Sequence, residues 1–133
     1  MSPCRLLIIE DEPEIAGIIA HVAEDLGYAV TCVHTVAEII PTYHQCQPDV
    51  IVLDLVMPEM DGFEVLQFLH EEGSASKVVI VSGQHNYRPM ATRMAEGFDL
   101  RVSATVAKPF RISEMRKVLQ QVHDTVGLAQ RSA

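Results

Sequence analysis

Five polar residues stand where apolar runs stop. Glu10 and Asp11 follow RLLII, Asp54 closes VIVLD, Ser82 closes KVVIVS, and Lys108 follows VSATVA. If those runs lie side by side, three carboxylates, a hydroxyl and an ammonium share one edge. Two carboxylates about 5 Å apart repel by roughly 3 kcal/mol at an effective dielectric near 20, so three held together ask for a compensating cation. Donors that are all oxygen, with room left for water and phosphate, suit Mg2+ rather than zinc. Acids can also follow strands merely as helix caps or water-facing groups. Glu12 and Glu14 fit that role, since acids in a first turn favour the helix dipole. For Asp11 and Asp54, position alone leaves both readings open.

The elements that must position these groups alternate along the chain. Five short β-branched runs, Arg5–Glu10, Tyr28–Val33, Val50–Asp54, Lys77–Ser82 and Val102–Ala107, read as strands. Most lack strict polar alternation, as expected of strands covered on both faces in a parallel sheet. Between them the apolar spacing turns helical: Ile15, Ile18, Ile19, Val22 and Leu26, then Val36, Ile39, Ile40 and Tyr43, then Val65, Leu66 and Leu69. Ala91, Met94, Ala95 and Phe98 form a fourth stripe, and Ile112, Met115, Leu119, Val122 and Val126 a fifth. The order is (βα)5, which predicts a doubly wound α/β sheet with right-handed crossovers. Ligands of such sheets bind beyond the carboxyl ends of the strands, where the five polar residues stand. Pro41 falls inside the second helical pattern and should kink or shorten it. Residues 1–128 read as one domain and 129–133 as a small polar tail or the start of a linker.

Composition narrows the class of function. With 48% hydrophobic and 21% charged residues, the 133-residue chain has the balance of one globular domain. Its apolar runs are too short to cross a bilayer and its start is not that of a secretory signal, so a cytoplasmic location is expected. A formal charge of −8 opposes direct binding to nucleic acid or to an anionic membrane. Cys4, Cys32 and Cys46 are odd in number and lack CxxC spacing, which favours buried thiols over a disulfide or zinc site. The six histidines show no metal-ligand spacing.

The runs IIEDEPEI, IVLDLVMPEMDG, VVIVSG and VAKPF occur in this order at strands one, three, four and five. Together they resemble the receiver domain of two-component response regulators, over almost the whole chain. The resemblance implies a flavodoxin-like fold with strand order 2-1-3-4-5. It makes Asp54 the acceptor of a phosphoryl group from a sensor histidine kinase or phosphotransfer protein. It also makes Asp11, Asp54 and the backbone carbonyl of Val56 ligands of Mg2+, with Glu10 supporting the ion through water. Ser82 would bond a phosphoryl oxygen, Lys108 would pair with the phosphoryl group or the free carboxylate, and the Lys108–Pro109 bond would be cis. Met57-Pro58 and Asp61-Gly62 would shape the loop into the third helix. Such a domain is a regulator rather than an enzyme. It passes its signal to a downstream protein, a covalently linked effector domain or a second copy of itself.

Rival readings fit the residues less well. A dinucleotide- or flavin-binding protein needs a Gly- or Ser/Thr-rich phosphate loop after the first strand, where this chain has Glu10, Asp11, Glu12 and Glu14. A haloacid-dehalogenase-type phosphatase needs DxD there, and EDE does not supply it. An interaction scaffold that had lost the chemistry would not need all of Glu10, Asp11, Asp54, Ser82 and Lys108. Two departures from the receiver pattern affect signal output: Thr105 stands where the family usually has an aromatic residue, and Gly97–Lys108 is several residues longer than usual, which suggests a long link before the fifth strand.

Overall fold

The computed structural model describes residues 3–57, 62–83 and 87–132. The strands are β1 (Arg5–Ile9), β2 (Ala29–Val33), β3 (Val50–Asp54), β4 (Lys77–Ser82) and β5 (Arg101–Ala107). The helices are α1 (Pro13–Asp25), α2 (Val36–Cys46), α3 (Gly62–Glu71), α4 (Tyr87–Gly97) and α5 (Ile112–Ser132). All strand pairs are parallel and the order is β2-β1-β3-β4-β5, as expected.

Burial follows from that order. The interior strands β1, β3 and β4 are covered on both faces, so they carry near-continuous apolar sequence, while the edge strands β2 and β5 alternate. Leu6, Ile8, Val50, Val52, Val79 and Val81 point to one face and meet Ile19 and Val22 of α1 and Met115 and Leu119 of α5. Leu7, Ile9, Ile51, Leu53, Val78 and Ile80 point to the other and meet Ile39, Leu66, Leu69, Ala91 and Ala95 of the remaining helices. Each fully buried Leu or Ile side chain contributes about 1.5–3 kcal/mol, which fixes the register and with it the strand ends. Tyr28 ties the first face to α5, its hydroxyl donating to the Leu119 carbonyl at 2.8 Å.

Helices α1 and α4 stop by the same device. After α1, Gly27 at φ +96° and Tyr28 donate their N–H groups to Glu24 and Ala23, the paired bonds of a Schellman cap. Asp99 at φ +58° and Leu100 make the same pair with Glu96 and Ala95 after α4. This cap corrects the expected long link: only residues 98–100 join α4 to β5. β5 itself is seven residues long, with a register shift at Val78/Val79 that skips Ser103. A bulge absorbs one residue without lengthening a loop.

Two further expectations are corrected. Of the kink or shortening expected at Pro41, the shortening does not occur: α2 runs past the proline, with buried Ile39 on one side of it, and ends at Gln47 in an αL cap. The backbone of α5 runs on to Ser132 instead of giving way to a tail at Ala129, since residues 128–132 contain neither Gly nor Pro to stop it. Cys4 is buried and Cys32 and Cys46 are half-buried, all as free thiols. Among the described residues no helix is long and apolar enough to cross a membrane.

Candidate functional site

The carboxyl edge of the sheet brings the charged residues together. Glu10 and Asp54 are buried, at 1% and 4% exposure, and Asp11 is half-buried. One oxygen from each of the three carboxylates lies within 4.8 Å of the others. A cleft of about 370 Å³ opens over them, lined by Asp11, Glu12, Asp54, Val56, Met57, Gly83 and Lys108. A larger cleft of about 520 Å³ lies at the opposite edge, between Tyr43, Asp49, Lys77 and Arg101. Size does not choose between them; the carboxylate cluster does.

Each group is held by the local chain. The Lys108 ammonium donates to Glu10 Oε1 at 2.6 Å and to Asp54 Oδ2 at 3.4 Å. The Lys108 backbone is anchored where its N–H bonds the Ser82 carbonyl at 3.0 Å. The Lys108–Pro109 peptide is cis, as expected. The second oxygen of Glu10 accepts the Glu12 N–H at 3.2 Å, and Asp54 Oδ1 accepts the Val56 N–H at 3.2 Å. Ser82 is buried at the end of β4, and Val56 is exposed on the rim. Burial is the main force that pushes the Glu10 carboxyl up to about 7; Lys108 opposes the shift and Asp54 adds to it. For Lys108, burial works against the charge, but the hydrogen bond it donates to Glu10 and the field of Asp54 outweigh it and raise its pKa.

The donor set fits a hard divalent cation. Three carboxylates and one ammonium leave a negative excess, every side-chain donor is an oxygen, and the cleft is open to water. Glu10 has both oxygens occupied by Lys108 and Glu12, which suits a supporting part rather than direct ligation.

The structure gives Gly62 and His34 parts that their sequence context did not specify. Gly62 starts α3 where a Cβ would stand 2.7 Å from Leu55 Cα and 3.1 Å from the Asp54 carbonyl, so glycine is needed for α3 to close against the end of β3. His34, read among six scattered histidines, has Nδ1 3.0 Å from the Glu10 carbonyl. Its place one residue past β2 was the only signal available. Thr105 is exposed on β5. Pro58 and Asp61, with their expected loop role, and His85 lie outside the described residues.

Known proteins share this arrangement of sequence and fold. The profile of the response regulator receiver domain matches residues 6–120. The transcriptional regulatory protein TrcR of Mycobacterium tuberculosis is 27% identical over 114 residues, 86% of this chain and 43% of TrcR. The chemotaxis protein CheY of Listeria monocytogenes is 25% identical over 118 residues, 88% of this chain and 96% of CheY. The crystal structure of a response regulator from Colwellia psychrerythraea superposes with a TM-score of 0.78 at 25% identity, covering 93% of this chain and 99% of that one. The chain spans about half the length of several curated relatives that it matches.

Proposed function

The chain belongs to the response regulator receiver domain family, and from that premise we propose that it is a phosphorylation-dependent signalling switch with Asp54 as the acceptor. The observation that carries this reading is the juxtaposition of Glu10, Asp11 and Asp54 within 4.8 Å, with the Lys108 ammonium bridging two of them.

A carboxylate is a weak nucleophile, so positioning and charge neutralisation must carry the transfer. Asp54 is held at the rigid end of a buried strand, with one oxygen turned toward the Val56 N–H and the other toward Lys108. One Asp54 oxygen forms the new O–P bond as the P–N bond of a donor phosphohistidine breaks. Lys108 then transfers its contact from a carboxylate oxygen to the phosphoryl group. Ser82, at the end of the neighbouring strand, contacts a phosphoryl oxygen. Asp11, Asp54 and the Val56 carbonyl would hold Mg2+, with Glu10 in support; when bound, the ion neutralises charge on the phosphoryl oxygens.

The chain acts on its own side chain and turns over no separate substrate. Its donor is a sensor histidine kinase or phosphotransfer protein, and its output is a changed contact with a downstream protein, a covalently linked effector or a second copy of itself. The formal charge of −8 opposes direct binding to nucleic acid or an anionic membrane, and a cytoplasmic location suits a partner of such kinases.

Incubation with acetyl phosphate and Mg2+ tests the reading. One acid-stable, base-labile phosphoryl group is expected on the wild type and none on Asp54→Asn. Labelling of Asp54→Asn at the wild-type rate would overturn the assignment.

A further inference from the structure

We propose that His34 is a positioning residue for the metal site, acting through the Glu10–Asp11 peptide; the inference rests on the proposed Mg2+ site. Glu10 lies one residue beyond β1, yet its N–H still bonds the Val33 carbonyl at 3.1 Å, so the ladder to β2 continues to that point. In a parallel ladder the carbonyl of the same residue would next accept the N–H two residues on, that of Thr35. The chain turns away there, because Thr35 is the N-cap of α2. The His34 ring fills the missing rung, with Nδ1 3.0 Å from the Glu10 carbonyl. Nδ1 must carry a hydrogen to donate to that acceptor.

The bond matters because Asp11 is the next residue in the chain. The Glu10 carbonyl belongs to the same rigid plane as the Asp11 N–H, so fixing the carbonyl sets the direction in which Asp11 leaves the strand. Asp11 has no other visible anchor: among the described residues no hydrogen bond holds its carboxylate. Glu10, by contrast, is held through both oxygens by Lys108 and Glu12. His34 itself is well placed to act as the clamp. It sits between a residue paired to β1 and a helix N-cap whose hydroxyl is tied to Glu38 at 2.6 Å, so its backbone is fixed on both sides. Groups that orient a metal ligand from behind commonly change metal affinity by tenfold or more when removed.

The test compares His34→Leu with His34→Asn, whose side-chain N–H can take the place of Nδ1–H. Two readouts are used on the intact chain: the Mg2+ dissociation constant from isothermal titration, and the Asp11 backbone amide resonance in metal-free protein. His34→Leu should weaken Mg2+ binding about tenfold and shift the Asp11 amide, while His34→Asn keeps both near wild type. Wild-type Mg2+ affinity in His34→Leu would overturn the inference, as would an equal loss in both variants. If the wild type binds no Mg2+, the metal reading itself fails, and the amide decides: an Asp11 resonance unmoved in His34→Leu overturns the positioning role.

Discussion

Replacing Asp11 by Asn should raise the stability of the metal-free protein and lower that of the protein in Mg2+. The carboxylate oxygens of Glu10, Asp11 and Asp54 lie within 4.8 Å of one another. At that distance a charged pair repels by about 3.5 kcal/mol at an effective dielectric of 20 and about 0.9 kcal/mol in bulk water. Asp11 is half-buried and, above about pH 7 where Glu10 is ionised, faces two such neighbours, while the Lys108 ammonium offsets part of the repulsion. Neutralising Asp11 should therefore stabilise the metal-free fold by about 1–2 kcal/mol, or roughly 3–8 °C in melting temperature. No helix cap is lost with it, because the N-cap of α1 is Glu12. With Mg2+ at 100 times its dissociation constant, the wild type should gain about 2.7 kcal/mol by mass action. The variant, short of one ligand, should gain little, so the order of the two melting temperatures reverses. Thermal melts of both proteins with EDTA and with saturating Mg2+ check this. A variant less stable than wild type in EDTA, or one that gains as much from Mg2+, would refute the account of the cleft as a repelling carboxylate cluster.

Glu10 makes stability depend on pH: burial holds its carboxyl at about 7 in the fold against 4.5 for the free group, so the native state binds the extra proton between those values. Metal-free stability should fall as pH rises from 4.5 to about 7, by something on the order of 3 kcal/mol, and Glu10→Gln should flatten that fall in urea titrations. The same proton competes with the cation, so the thermal shift produced by Mg2+ should be larger at pH 8 than at pH 6, roughly one unit either side of neutrality. Gly62→Ala puts a Cβ 2.7 Å from Leu55 Cα and should cost about 1–3 kcal/mol in urea unfolding, with slower phosphorylation as the end of β3 shifts. Tyr28→Phe removes the 2.8 Å bond to the Leu119 carbonyl and should cost about 0.5–1.5 kcal/mol, leaving phosphorylation of Asp54 unchanged.

What could be read in the sequence was whatever depends on neighbours along the chain. The apolar runs without polar alternation pointed to strands covered on both faces of a parallel sheet, which β1, β3 and β4 are. The strand ends then located Glu10, Asp11, Asp54, Ser82 and Lys108 on one edge, since a parallel sheet puts all its carboxyl ends together. The tertiary structure decided what depends on contacts between distant segments. It paired Lys108 most closely with Glu10, 98 residues away, and not with Asp54 alone. It brought His34 to the Glu10 carbonyl because β2 lies beside β1 and ends one rung short. It also added a bulge at Ser103 to β5, where the ladder to β4 and the cap at Asp99 leave only three residues for the link. Local pattern sets which segments are strands and helices; which side chains then meet is set by packing those segments at one register, and a single sequence does not display that register.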